Sequence, residues 1–205
     1  MKLYIDPGTG SMLFAVLIGI IGAVAYVFKE WAVKLKFLLT GGKKADTNAE
    51  KIPIVIFSDD KRYWSVFKPI CEEMNSRGVD VVYMTASKDD PAFDENLQHL
   101  DAQFIGEGNR AFSKLNFLNA TMLISTTPGL DVFQWKRSKN VDYYVHVLHA
   151  ASNTCGYHMF GIDYYDAVLI SGNHHERDIR ALEKIRNLPA KELVMVGVPY
   201  MDAMV

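Results

Sequence analysis

Two histidines stand three residues apart in the segment His146-Val147-Leu148-His149-Ala150-Ala151-Ser152-Asn153. An imidazole titrates near neutrality, so a histidine at the end of a strand can take a proton from a hydroxyl nucleophile. His149 lies nearer the carboxyl end of the apolar run DYYVHVL and is the candidate base. Residues three apart in a strand face opposite sides, so His146 and His149 converge only if the strand ends between them. His146 then reads as a structural residue within the strand. Ser152 and Asn153 follow as polar groups able to contact a substrate. A second segment, Ser125-Thr126-Thr127-Pro128-Gly129-Leu130-Asp131, offers three hydroxyls and, at Gly129, a backbone that a ligand can approach closely. Ser125, Thr126, Thr127 and Gly129 suit a phosphate or a polyol, and equally a turn leading into a helix cap. A third, Gly172-Asn173-His174-His175-Glu176, opens a helix, and helix N-termini attract anions. Asn173 and His174 would meet the ligand there, although Asn173 and Glu176 also have capping-box spacing.

Short strands alternating with helices must position these groups. Residues 53–58 (PIVIFS) form an apolar, β-branched run of the kind found in buried strands. A helix over 63–77 follows, with Phe67, Ile70, Cys71 and Met74 on one face and Gly78 as its stop. Further strands are expected over 79–84, 102–105, 121–125, 142–148, 167–171 and 193–196. Helices are expected over 109–118 and from Asn173 to Asn187. This alternation implies an α/β fold with a mainly parallel, doubly wound, Rossmann-like sheet. In such sheets ligands sit beyond the carboxyl ends of the strands, where all three candidate segments fall.

The N-terminus has a different character. Residues 12–28 (MLFAVLIGIIGAVAYVF) carry no charge, and their flanks extend the run to roughly the 20 residues that cross a bilayer. Tyr26 and Trp31 suit the membrane interface, and Lys29, Lys34, Lys36, Lys43 and Lys44 follow the run. The positive-inside rule therefore places the remainder of the chain in the cytoplasm. Ala23-Val24-Ala25 also allows a signal-peptide reading, but there the basic residues should precede the apolar run. Ser11, Ala15, Gly19 and Ala23 share one helix face, which could let two copies pack as a homodimer. The expected organisation is an anchor and juxtamembrane helix over 1–40, a linker over 41–52 and an α/β domain over 53–205.

The 205-residue chain has a net charge of −2, without the basic excess of a nucleic-acid binder. Its two cysteines, Cys71 and Cys155, have no CxxC partner. A zinc site would recruit His146, His149, His158 and His174 or His175, and their spacing matches no zinc pattern. No metal or cofactor is implied.

A strand ending in His149, a Tyr-Asp-Ala-Val-Leu-Ile-Ser strand over 165–171, a helix, and then Val196-Gly197-Val198-Pro199-Tyr200-Met201-Asp202 form a recognisable succession. It resembles the CDP-glycerol glycerophosphotransferases of teichoic acid synthesis, which are GT-B-like enzymes. In that family a Trp-His-Gly-Thr segment ends a strand of the first domain, and a Gly-x-Pro-x-x-Asp segment leads into the second. Gly197, Pro199 and Asp202 match the latter, and His149 matches the histidine of the former, the family's proposed base. Leu148 stands in place of the tryptophan, and Ala150-Ala151 in place of Gly-Thr.

The resemblance covers residues 50–205. It implies the acceptor-side half of a GT-B fold, with CDP-glycerol bound through a second domain, for which this sequence has no counterpart, and a lipid-linked polymer as acceptor. The implied activity is transfer of glycerol phosphate to an acceptor hydroxyl. Two alternatives remain open: a nucleotide-sugar transferase of the same fold, and a non-catalytic membrane module that binds a partner or assembles a complex.

Overall fold

The computed structural model describes residues 51–150, 152, 154–198 and 201. The expected membrane span and its small-residue face lie outside the described residues, as do Asn153, Pro199 and Asp202. Among the described residues no helix is long and apolar enough to cross a membrane.

Seven strands form one sheet: β1 (Ile52–Ser58), β2 (Val81–Thr85), β3 (Leu100–Phe104), β4 (Asn119–Ser125), β5 (Asn140–Val147), β6 (Ala167–Ile170) and β7 (Glu192–Met195). Their order is β3-β2-β1-β4-β5-β6-β7, and every neighbouring pair is parallel. Each expected strand is present, with ends displaced by a residue or two. The chain builds leftward from β1 through β3, then crosses back to start β4 on the other side of β1. That reversal between β1 and β4 is a topological switch point, where the connections leave toward opposite faces and open a crevice.

Alternate residues of β1 divide the core. Ile56 packs with Trp64, Phe67 and Cys71 of α1 (Trp64–Ser76) on one face. Val55 and Phe57 pack with Ala111 and Leu115 of α2 (Asn109–Leu115) on the other. Val55, Ile56 and Phe57 are all 0 % exposed, as a parallel strand covered on both faces requires. Each such side chain contributes about 1.5–3 kcal/mol of burial free energy. The α1 stripe expected from the sequence faces this core, with Ile70 and Met74 partly buried against it. The helix ends at Gly78, whose φ of +68° lets the Gly78 and Val79 N–H groups turn back to Asn75 and Met74. A third cluster joins Val168 and Ile170 of β6 to Ile179 of α3 (Asn173–Arg186).

The entry to α3 differs from the sequence expectation. Gly172 is the N-cap and Asn173 the first helical residue, so Asn173 makes no capping box with Glu176. Instead the buried His175 ring reaches back, with Nδ1 3.1 Å from Ser171 Oγ. At the far end Asn187, with φ +53°, supplies the left-handed stop.

No helix follows β4. The crossover to β5 lies over the sheet on an aromatic cluster. Trp135 meets Phe57 edge-on at 5.3 Å, stacks on Phe112 at 6.0 Å and meets Tyr165 at 6.3 Å. This packing holds residues 126–131 at the carboxyl end of β4, directly beside the switch point.

Candidate active site at the switch point

Strand β5 ends at Val147, between the two histidines. The chain turns there, so His146 and His149 do approach one another. Both contact Tyr157, with ring centroids 5.3 and 6.2 Å away. Their environments differ. His146 is 0 % exposed, its Nε2 lies 3.1 Å from the Tyr157 hydroxyl, and its ring tilts against Tyr165 at 4.8 Å. Burial, helped by the neighbouring His149, lowers its pKa to about 3, so it is neutral at any physiological pH. His149 is half-buried. Its ring lies 4.9 Å from Tyr63, which enters from the turn before α1. Desolvation lowers its pKa and the Asp59 carboxylate partly restores it, leaving a mainly neutral imidazole at pH 7.

A cavity of about 220 Å³ opens on His149, walled by Tyr63, Pro128, Ala150, Ser152, Gly156 and Tyr157. His158 also lines it, and Asp59, the residue after β1, lies outside these walls but close enough to His149 for its charge to be felt there. Its surroundings raise the carboxyl pKa, chiefly by desolvation, while the Thr127 hydroxyl opposes the rise. The Thr127 hydroxyl is buried against the Asp59 carboxyl and favours its ionised form. Thr126 Oγ1 and His149 Nδ1 are buried without a hydrogen-bond partner among the described residues.

The rest of the β4 loop is committed to holding shape. Ser125 Oγ donates to the Phe57 carbonyl at 2.9 Å and accepts from the Thr127 N–H at 3.0 Å, knitting β4 to β1. The Tyr165 hydroxyl donates to the Thr127 carbonyl at 2.5 Å. Gly129 takes φ +88°, and its N–H donates to the Gly161 carbonyl at 2.7 Å.

Comparison of the chain with family models, with curated proteins and with solved structures finds no match.

The residues singled out from sequence thus fall into three groups. His149 lines the cavity, Thr127 is buried against Asp59, and Thr126 is buried outside the cavity walls. Ser125 and Gly129 lie beneath them as scaffold, their polar groups already bonded within the fold. Ser152 is exposed on the cavity wall, its carbonyl 2.7 Å from His175 Nε2. Asn173 is exposed at the start of α3, and His174 lies against His175 with ring centroids 3.9 Å apart, away from the His149 cavity walls.

Asp59, Tyr63 and Tyr157 belong to the site and were not anticipated. Asp59-Asp60 after an apolar strand was the available signal for the first. The two tyrosines join only through tertiary packing. Among the described residues no group of three or more His, Cys, Asp or Glu is placed to share a metal ion.

Proposed function

We propose that this chain is the acceptor-side part of a membrane-anchored transferase akin to the CDP-glycerol glycerophosphotransferases. In this reading His149 takes the proton from an acceptor hydroxyl, whose oxygen attacks the glycerol-bearing phosphorus of CDP-glycerol while the pyrophosphate P–O bond breaks and CMP leaves with its electron pair. The observation that carries the proposal is His149 itself: a half-buried, mainly neutral imidazole on a ring-walled cavity at the crevice where doubly wound sheets bind ligands. A base must be unprotonated at working pH, and desolvation supplies that condition. Asp59 close by favours the imidazolium that forms once the proton has moved. General-base assistance of this kind is worth about 10²–10⁴ in rate.

The apolar run over 12–28 would hold the domain on the cytoplasmic face beside a lipid-linked polymer, and Gly197 would begin the link to a donor-binding domain. Membranes bearing the full natural chain should transfer labelled glycerol phosphate from CDP-glycerol to a lipid-linked acceptor. Absence of transfer with CDP-glycerol, together with turnover of a nucleotide sugar, would move the assignment to sugar transfer.

A further inference from the structure

Three aromatic rings wall the cavity on His149. The His149 ring contacts Tyr63, 4.9 Å away and inclined at 57°, and Tyr157, 6.2 Å away and inclined at 59°. Neither tyrosine stacks flat on the imidazole, so the rings meet as inclined walls. Pro128, Ala150 and Gly156 also line the cavity, and Ser152 and His158 are its exposed polar members. Its volume of about 220 Å³ lies below the roughly 300–1,000 Å³ of sites for drug-sized ligands, so it suits one small group.

No lysine or arginine among the described residues lines this cavity. Arg62 lies over the Tyr63 ring at 6.0 Å, but it lines a separate pocket with Ser65 and Val66, and its guanidinium is bonded to Asp60 at 2.9 Å. Lys61 is paired with Asp89. Asp59 stands outside the walls with its charge felt at His149, and no described Lys or Arg is ion-paired with it. The local excess of charge is therefore negative. Aromatic faces are also negative, and they attract a cation within about 6 Å of the ring centroid. An anion would meet like charge from the rings and from Asp59. A neutral apolar group would fill the walls and gain nothing from Asp59. An alkylated ammonium satisfies both, because its C–H surface suits the walls and its diffuse charge suits the rings and the carboxylate.

We infer that the ring-walled cavity on His149 is a binding site for a small alkylammonium group, held by the Tyr63 and Tyr157 rings and by the nearby charge of Asp59. The inference goes beyond the transferase reading and does not need His149 to act as a base. Where both hold, the acceptor carries an ammonium group beside the hydroxyl that faces His149.

The test is a titration of the full chain in a nonionic detergent, ¹⁵N-labelled at histidine, with choline, following the His149 ring signals. The control is the uncharged isostere of choline in which a tert-butyl group replaces the trimethylammonium. Choline should give a saturable millimolar shift, and the isostere should bind at least tenfold more weakly. Tyr63→Leu keeps the bulk, loses the ring face and should weaken choline at least fivefold. Tyr63→Phe keeps the face and should bind as wild type. Asp59→Asn should weaken choline at least threefold. Tyr63 is the ring to vary, because the Tyr157 hydroxyl also holds His146. No saturable choline shift, or equal affinity for the isostere, would overturn the inference. So would unchanged affinity in folded Tyr63→Leu or Asp59→Asn, or lost affinity in folded Tyr63→Phe. The isostere comparison needs no variant and decides the matter if a variant fails to fold. Binding is read here without turnover, so the two readings can fail separately. A chain that binds choline this way but transfers nothing keeps the site and loses the transferase. An active transferase that does not bind choline does the reverse.

Discussion

His146 and His149 are the same residue type three positions apart, and the fold gives them opposite tasks. His146 lies within the sheet with its Nε2 against the Tyr157 hydroxyl, and burial lowers its pKa from 6.5 to about 3. The pH dependence follows from the sign of that shift. Above about pH 6.5 both folded and unfolded chains carry a neutral ring there, and the group contributes no pH dependence. Between about 6.5 and 3 the unfolded chain binds a proton that the folded chain refuses, so stability falls as pH falls. The full loss is on the order of 5 kcal/mol. His146→Gln removes this titration. Urea midpoints measured from pH 7 down to pH 4 should therefore decline less steeply in His146→Gln than in wild type. Parallel profiles would mean that His146 is not held neutral in the fold.

At the scale of elements, the loop that carries His149 is held from a distance. His175, fully buried in the first turn of α3, bonds the Ser152 carbonyl through Nε2 and Ser171 through Nδ1. Nε2 must carry the hydrogen to donate to a carbonyl, which leaves Nδ1 as the acceptor from Ser171. His175→Ala should cost about 1–3 kcal/mol through the unsatisfied carbonyl. Hydrogen exchange should quicken over residues 148–158 while β1 stays protected. Uniform exchange across the domain would contradict this latch.

The latch also marks the limit of what the sequence made legible. Strand and helix identities were readable because they rest on local periodicity, as in the PIVIFS run and the α1 stripe. The strand-end position of His149 was readable because it lies just past an apolar run. Strand order is not a local property, so nothing in the sequence brought Asp59 after β1 next to Thr127 after β4. The α3 cap misled because Asn173 and Glu176 have the right spacing, yet Gly172 precedes them with extended backbone and takes the N-cap position. Ser125 and Gly129 are open to two readings for a related reason: a hydroxyl or an N–H suits a ligand or a neighbouring segment equally well, and in the fold Ser125 Oγ donates to the Phe57 carbonyl and the Gly129 N–H to the Gly161 carbonyl.

At the scale of the whole molecule, an apolar N-terminal run precedes the α/β domain in the sequence. The five lysines after residue 28 set the expected orientation. Cysteines introduced one at a time just beyond Lys44 should resist an impermeant thiol reagent in intact cells and react once the membrane is opened. Labelling of intact cells, or a mature chain beginning near Tyr26, would reverse the topology. The central claim is that His149 is the base. In membranes bearing the full chain, His149→Ala should lower glycerol-phosphate transfer at least a hundredfold, on the scale of a lost general base, with the unfolding temperature unchanged within a few degrees. Near-normal transfer by a folded His149→Ala protein would contradict the account.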